Sequence, residues 1–196
     1  MKRTYIRTNL LAVCVVIVVI LVFFPGTAAG AKDQAPPDSN RMKPDHAPTP
    51  FSAEQIRAGS PRGRKIVYQV ETFGQQVVYQ TMTFVTVSET EAVVESVTTG
   101  MDGKRIGSKR MSTGKWEDFQ AHASFPAAQT VITKESFTVP AGTFDCWRYD
   151  VTLSKEGKTN VQKYWFAVDV PGPPVCFEES ADGKLIFKMT MLKNGK

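Results

Sequence analysis

The sequence predicts a mainly β protein: a curved antiparallel sheet, half-barrel or barrel, of about nine strands with two short helices. Three observations carry that expectation. From Arg64 to Leu192 the chain is a succession of β-branched and aromatic runs, several with two-residue alternation. Short turn-forming segments separate the runs, including MDG, PAG, KEGK, DVPGP and ADG, and connections this short favour hairpin neighbours in a meander. Only two stretches carry helical spacing.

The first 31 residues stand apart. Lys2, Arg3 and Arg7 precede an unbroken apolar run from Leu10 to Phe24, followed by Pro25-Gly26 and TAAGA. This is the layout of a secretory signal peptide with Ala29-Gly30-Ala31 as cleavage site, the alternative being an uncleaved membrane anchor over residues 10–24. As a helix the run reaches only about 22 Å, short of a hydrocarbon core of about 30 Å, which favours cleavage. Cys14 sits inside the run, badly placed for lipidation, and reads as a small apolar residue of the signal. Export to the periplasm or cell envelope follows.

Residues 32–50, KDQAPPDSNRMKPDHAPTP, hold five prolines and no apolar periodicity, so the sequence predicts a flexible linker there, with His46 solvated. From residue 51 to 196 the chain reads as a single β domain. Ser52 and Gln55 form a capping-box pattern and Gly59 with Pro61 a stop, delimiting a helix SAEQIRAG. RKIVYQVET alternates Ile66, Tyr68 and Val70 against polar neighbours and pairs through Phe73-Gly74 with QQVVYQTMTFVTV. EAVVESVTT and KRIGSKRM follow around Asp102-Gly103, the basic stretch 103–110 reading as the solvated face of a strand.

A second helix is expected in STGKWEDFQAHASFP, where Trp116, Phe119 and Ala123 fall three and four apart, Ser112 or Thr113 caps and Pro126 terminates. His122 is then a helix-end histidine. QTVITKESFTV, FDCWRYDVTL, VQKYWFAV, PVCFEES and KLIFKMTML supply the remaining five strands. In FDCWRYDVTL one face carries Trp147, Tyr149, Val151 and Leu153; in KLIFKMTML one face carries Leu185, Phe187, Met189 and Met191. An apolar face this wide exceeds what two short helices cover, so the sheet must curl, stack or hold a ligand.

Composition limits the function classes. Setting aside Lys2, Arg3 and Arg7 reduces 24 basic residues to 21 against 19 acidic, a net charge of +2 instead of +5. That is no electrostatic case for nucleic acid. Two distant histidines and two separated cysteines make no short-spaced metal site, and no phosphate loop, G-x-S-x-G elbow or H-E-x-x-H occurs. Cys146 would need His122 as base to act as a nucleophile, and nothing in the sequence brings the two together; no catalytic residue is assigned and no enzyme is expected. A disulfide between Cys146 and Cys176 is the stronger rival in an oxidising compartment. Folding about the turns sets Cys146 against about Ala167 and Cys176 against about Phe166, with one strand between. Two strand spacings are about 9.6 Å, beyond the roughly 7 Å that bridged Cα atoms span, so the bridge requires a sharply curled or bulged sheet.

VPAGTFDCWRYDV, KYWFAVDVPGPPVCFE and DGKLIFKMTML together resemble the carboxy-terminal pattern of an exported bacterial family of unknown function, sometimes called TapB-like. The resemblance covers about the last sixty residues and rests on turn and core positions. It implies a curved envelope sheet similar to the half-barrel of LolA-type lipoprotein carriers, with no catalytic residues and no cofactor; Cys176 departs from the pattern and leaves the disulfide open. The expectation is an envelope protein near the membrane whose concave face binds a hydrophobic partner, a lipid or an acylated protein, lined by Trp147, Tyr149, Trp165, Phe166, Phe187 and Met189. The alternative is a membrane-tethered structural or interaction module without a ligand.

Overall fold

The computed structural model describes residues 35–155 and 157–195; the expected signal or anchor over residues 1–31, with Cys14, lies outside them. Nine strands form one antiparallel sheet: β1 (Lys65–Thr72), β2 (Val78–Val87), β3 (Glu91–Thr99), β4 (Arg110–Lys115), β5 (Thr130–Val139), β6 (Gly142–Lys155), β7 (Lys158–Ala167), β8 (Cys176–Ala181) and β9 (Lys184–Gly195). Two helices accompany them, α1 (Ala53–Gly59) before β1 and α2 (Trp116–Ala121) after β4. Among the described residues no helix is long and apolar enough to cross a membrane.

The spatial order is β4-β3-β2-β1-β9-β8-β7-β6-β5. Two meanders, β1–β4 and β5–β9, are thus joined where the first strand pairs with the last, Tyr68 opposite Met191 and Val70 opposite Met189. β4 and β5 remain as free edges, so the sheet is half-barrel-like and not closed. β4 and β5 are consecutive in the chain yet occupy opposite edges. Residues 116–129, which contain α2, therefore travel from one edge to the other across one face, the concave one.

The turns obey their chemistry. Val139 pairs with Gly142, leaving Pro140-Ala141 as a two-residue turn, and Gly142 takes φ +143°. Ala181 pairs with Lys184 around Asp182-Gly183, both at positive φ (49° and 77°), the combination a type I′ hairpin requires.

Three expectations need correction. Residues 104–109 are not a strand: Gly103 and Gly107 take φ of +75° and +71°, which interrupts extension. The loop folds back instead, Ile106 N donating to Thr98 O at 2.8 Å. β4 consequently begins at Arg110 and absorbs Ser112 and Thr113, which pair with Val94 and Val93, so neither caps α2. That helix starts at Trp116, and Asp118 accepts from Lys115 N at 3.2 Å.

The third correction concerns the linker. Residues 35–50 pack against the domain: Ala47 and Thr49 are buried, Ala47 N donates to Phe125 O (2.9 Å), and His46 Nδ1 lies 2.9 Å from Ser124 Oγ. Absent periodicity does not preclude order when the polar groups of an irregular segment are satisfied one by one. Gln120 on α2 does much of this. Its Oε1 accepts from Ala53 N (2.9 Å) and its Nε2 donates to Asn40 O (3.1 Å) and Thr49 Oγ1 (3.0 Å). One amide thereby ties α2 to the first turn of α1 and to the proline-rich segment, while Ser52 and Gln55 complete the capping box expected of α1.

Gln120→Ala removes these three bonds and leaves Ala53 N without its acceptor, while Asn40 O keeps its bond from Thr49 Oγ1 (2.9 Å); the loss is expected to cost about 2 kcal/mol. Urea unfolding checks this, and a change within 0.5 kcal/mol would contradict the role assigned to Gln120.

Candidate functional site

Alternation divides the sheet into two chemically different faces. On the concave face the register aligns Phe84 of β2, Tyr68 of β1, Met191 and Met189 of β9, Phe177 of β8, Tyr164 and Phe166 of β7, and Tyr149 of β6. Tyr68 and Tyr149 are fully buried, and each satisfies its hydroxyl on a backbone carbonyl: Pro174 O at 3.0 Å and Pro48 O at 2.7 Å. Burial pushes both phenols well above their ordinary range.

Between this face and the helices lies an apolar cavity of about 410 Å³. Its floor is Met82, Phe84, Tyr164, Phe166, Phe177 and Met189; its roof is Phe51 and Ile56 around α1 and Phe119, Gln120, His122 and Ala123 around α2; Gly172, Pro173 and Pro174 of the β7–β8 loop form one wall. The aromatic floor is ordered: Tyr164 stacks on Phe177 with centroids 4.5 Å apart, and Phe166 meets Tyr149 edge-on at 5.4 Å. Tyr164, partly buried and close to Glu179, is pushed up to about 12.

The wall is positioned by Arg64, which is 4% exposed. Its guanidinium donates to Gly59 O and Pro171 O, both at 2.7 Å, and its Nε to Asn194 Oδ1 at 3.0 Å. One side chain thus joins the end of α1, the β7–β8 loop and the last strand. Gly172, at φ +136°, makes room for it, since a Cβ there would stand 2.9 Å from Nη1. Desolvation lowers the Arg64 pKa from its ordinary value.

Of the six residues expected to line a ligand site, Phe166 and Met189 line the cavity. Phe187 is beside it, 5.5 Å from Phe177. Trp147 and Tyr149 share the concave face but serve the core under the proline-rich segment, Trp147 packing on Phe51 at 5.9 Å. Trp165 is on the convex face, because it is adjacent to Phe166 in an extended strand and the two cannot point the same way. It stacks on Phe137 at 4.5 Å and donates from Nε1 to Glu135 at 2.6 Å. Leu185, expected to share a face with Phe187, is exposed after a register shift between Glu179 and Ser180. The sequence reading missed Met82, Phe84, Phe119 and Phe177. Each stands at an alternating or helical position in a run already identified; what was lacking was the spatial order that sets β2 one strand from β9, across β1.

Ion pairs cross the convex face, which also exposes Val131 and Met111. Arg148 pairs with Glu135 (2.9 Å) and Asp150 (3.1 Å), and Lys188 with Glu178 (2.9 Å). Beneath that layer Cys146 and Cys176 are separate buried thiols. Cys146 pairs with Ala167 as expected, while Cys176 pairs with Trp165, one position from the expected Phe166. His122 lines the concave cavity and holds Asp118 O at 2.7 Å through Nδ1, so the sheet separates it from Cys146. Among the described residues no three His, Cys, Asp or Glu side chains group as metal ligands.

The described residues thus form a half-open antiparallel sheet with a helical roof over an apolar hollow. Two solved structures resemble it in fold. One is a candidate exported protein with a YmcC-like fold from Bacteroides fragilis NCTC 9343, at 11% identity and TM-score 0.46, covering 70% of this chain and 97% of that one. The other is a candidate lipoprotein from Parabacteroides distasonis ATCC 8503, at 14% identity and TM-score 0.47, covering 75% and 98%. No protein-family profile and no curated protein matches the chain.

The buried thiols yield a pH prediction. Both ordinarily ionise near 9; burial first, then neighbouring carboxylates, pushes Cys146 up to about 12 and Cys176 up to about 11. The folded state holds these protons where the unfolded chain releases them. Their contribution is therefore complete below pH 9 and is lost as pH rises toward 11–12, at about 1.4 kcal/mol per thiol per pH unit. Between pH 8.5 and 10 the urea midpoint is expected to fall, and to fall less in a Cys146→Ala/Cys176→Ala variant. An equal slope in both proteins would refute the assignment.

Proposed function

We propose that this is an exported, non-enzymatic protein of the cell envelope that binds a hydrophobic ligand, a lipid or an acylated protein, in the concave cavity. The single observation that carries the reading is the hollow of about 410 Å³ walled by Phe84, Phe119, Phe166, Phe177 and Met189. It has the size and the mostly apolar lining of small-molecule sites. The polar side chains of its roof, Gln120 and His122, are engaged with backbone and hydroxyl groups, which leaves apolar contact as the principal way to bind there. The basic, apolar N-terminal segment supports export and membrane proximity.

Organic extraction of the protein isolated from membranes, followed by mass spectrometry, is expected to yield a stoichiometric amphiphile. Met189→Trp projects bulk into the hollow and should reduce the yield several-fold while the far-ultraviolet spectrum stays unchanged. Recovery of no amphiphile from either protein would sink the reading.

A further inference from the structure

We propose that the ligand is a single-chain amphiphile with an anionic headgroup, its chain in the apolar cavity and its headgroup at a polar mouth beside Arg110. This rests on the reading of the cavity as a hydrophobic-ligand site and names the class of molecule it takes. The cavity does not end at its aromatic floor. A second hollow of about 460 Å³ lies on the same concave face, lined among others by Val70, Gln80, Ser96 and Arg110. The two hollows share a strip of sheet: Val70 stands directly opposite Met189 in the register, and Gln80 is the next residue after Met82 on that face of β2. They are neighbouring stations on the concave face, with no lining residue in common.

Chemistry changes between the stations. The first is aromatic and thioether. The second offers the Gln80 amide, the hydroxyls of Ser96, Thr98 and Ser108, and the Arg110 guanidinium, with no carboxylate in its lining. Its outer wall is the loop between β3 and β4, folded inward by the Ile106–Thr98 hydrogen bond and the bridge between Thr99 and Arg105. Of the other cations in the loop, Lys109 pairs with Glu95, which faces the convex side, at 2.8 Å, and Lys104 with Asp102 at 3.4 Å, while Arg105, also exposed and without an ion pair among the described residues, lies outside the lining of the hollow. Among the described residues no carboxylate lies within ion-pair distance of Arg110. A guanidinium is a planar fork of donors matched to carboxylate or phosphate oxygens, and here it is held beside hydroxyl donors at the end of an apolar groove. A neutral headgroup leaves that fork unused; a cationic one is repelled.

The test uses the full chain and displacement of the neutral fluorophore N-phenyl-1-naphthylamine by three probes with the same sixteen-carbon chain: palmitate, palmitoyl-lysophosphatidylglycerol and monopalmitoylglycerol. All three are expected to displace it. The anionic probes should bind about tenfold more tightly than the neutral one, the equivalent of one charge-assisted hydrogen bond, with carboxylate and phosphate distinguished by which of the two is the stronger. Arg110→Ala, an exposed position whose loss leaves folding intact, should abolish the preference and leave monopalmitoylglycerol unchanged; Arg110→Lys should retain part of it; salt should weaken it in the wild type. Equal affinities in the wild type, or a preference that survives Arg110→Ala, would overturn the headgroup assignment while leaving the cavity reading intact. Failure of all three probes would overturn the cavity reading itself.

Discussion

The pairing of β1 with β9 is the constraint on which the rest depends. Once the first and last strands are neighbours, the two meanders grow outward from a common centre and their remaining strands, β4 and β5, end at opposite edges. The chain that connects them has to cross a face of the sheet. It crosses the apolar one, because Trp116, Phe119 and Ala123 present an apolar stripe that would otherwise meet water. The roof of the cavity is thus a topological consequence, and α1 with the proline-rich segment fills in beside it, fastened by Gln120. A curved sheet and a straight short helix do not have matching surfaces, and the cavity occupies the mismatch.

Two polar anchors fasten the roof, one within it and one to the sheet. Gln120 joins α2 to the segment before α1, and Arg64 joins the end of α1 to the β7–β8 loop and to β9. Both satisfy backbone groups of irregular or terminal segments: Gln120 accepts from Ala53 N, and Arg64 donates to Gly59 O and Pro171 O. Among the described residues Arg64 pairs with no carboxylate; its charge is met by the carbonyls of Gly59 and Pro171, the Asn194 amide and the Ser60 hydroxyl, and desolvation lowers its pKa. The walls of the cavity are consequently the parts of the molecule whose position depends on hydrogen bonds more than on apolar packing.

Much of this was legible in the sequence, and the division is physical. Strand runs, the capping box at Ser52 and the turns at Pro140-Ala141 and Asp182-Gly183 are local, and alternation or turn chemistry suffices to read them. Alternation also assigned Trp147 and Tyr149 to one face. What local pattern does not carry is strand order: only the β1–β9 pairing places Met82 and Phe84 near Met189, and no spacing along the chain encodes it. Trp165 was misplaced because aromatic character was weighed above parity, although its neighbour Phe166 already claimed the concave face. Residues 35–50 were misread because composition reports the apolar surface a segment can bury and says nothing of carbonyls and amides satisfied by a distant Gln120.

The size of the cavity bears on whether it is a defect of packing or a designed space. The hollow of about 410 Å³ is half-open to solvent and is not a sealed void, so the cost of an empty core cavity does not apply to its whole volume. The means to shrink it are present, since Met82 and Met189 are flexible side chains that conform readily to irregular gaps. Yet the rings of the floor are stacked on one another, and Tyr164 Oη donates to Gln162 of the same strand at 2.9 Å, which fixes the ring on the sheet. A lining so arranged presents apolar surface that the proposed ligand would cover, and by linkage such a ligand would also stabilise the fold.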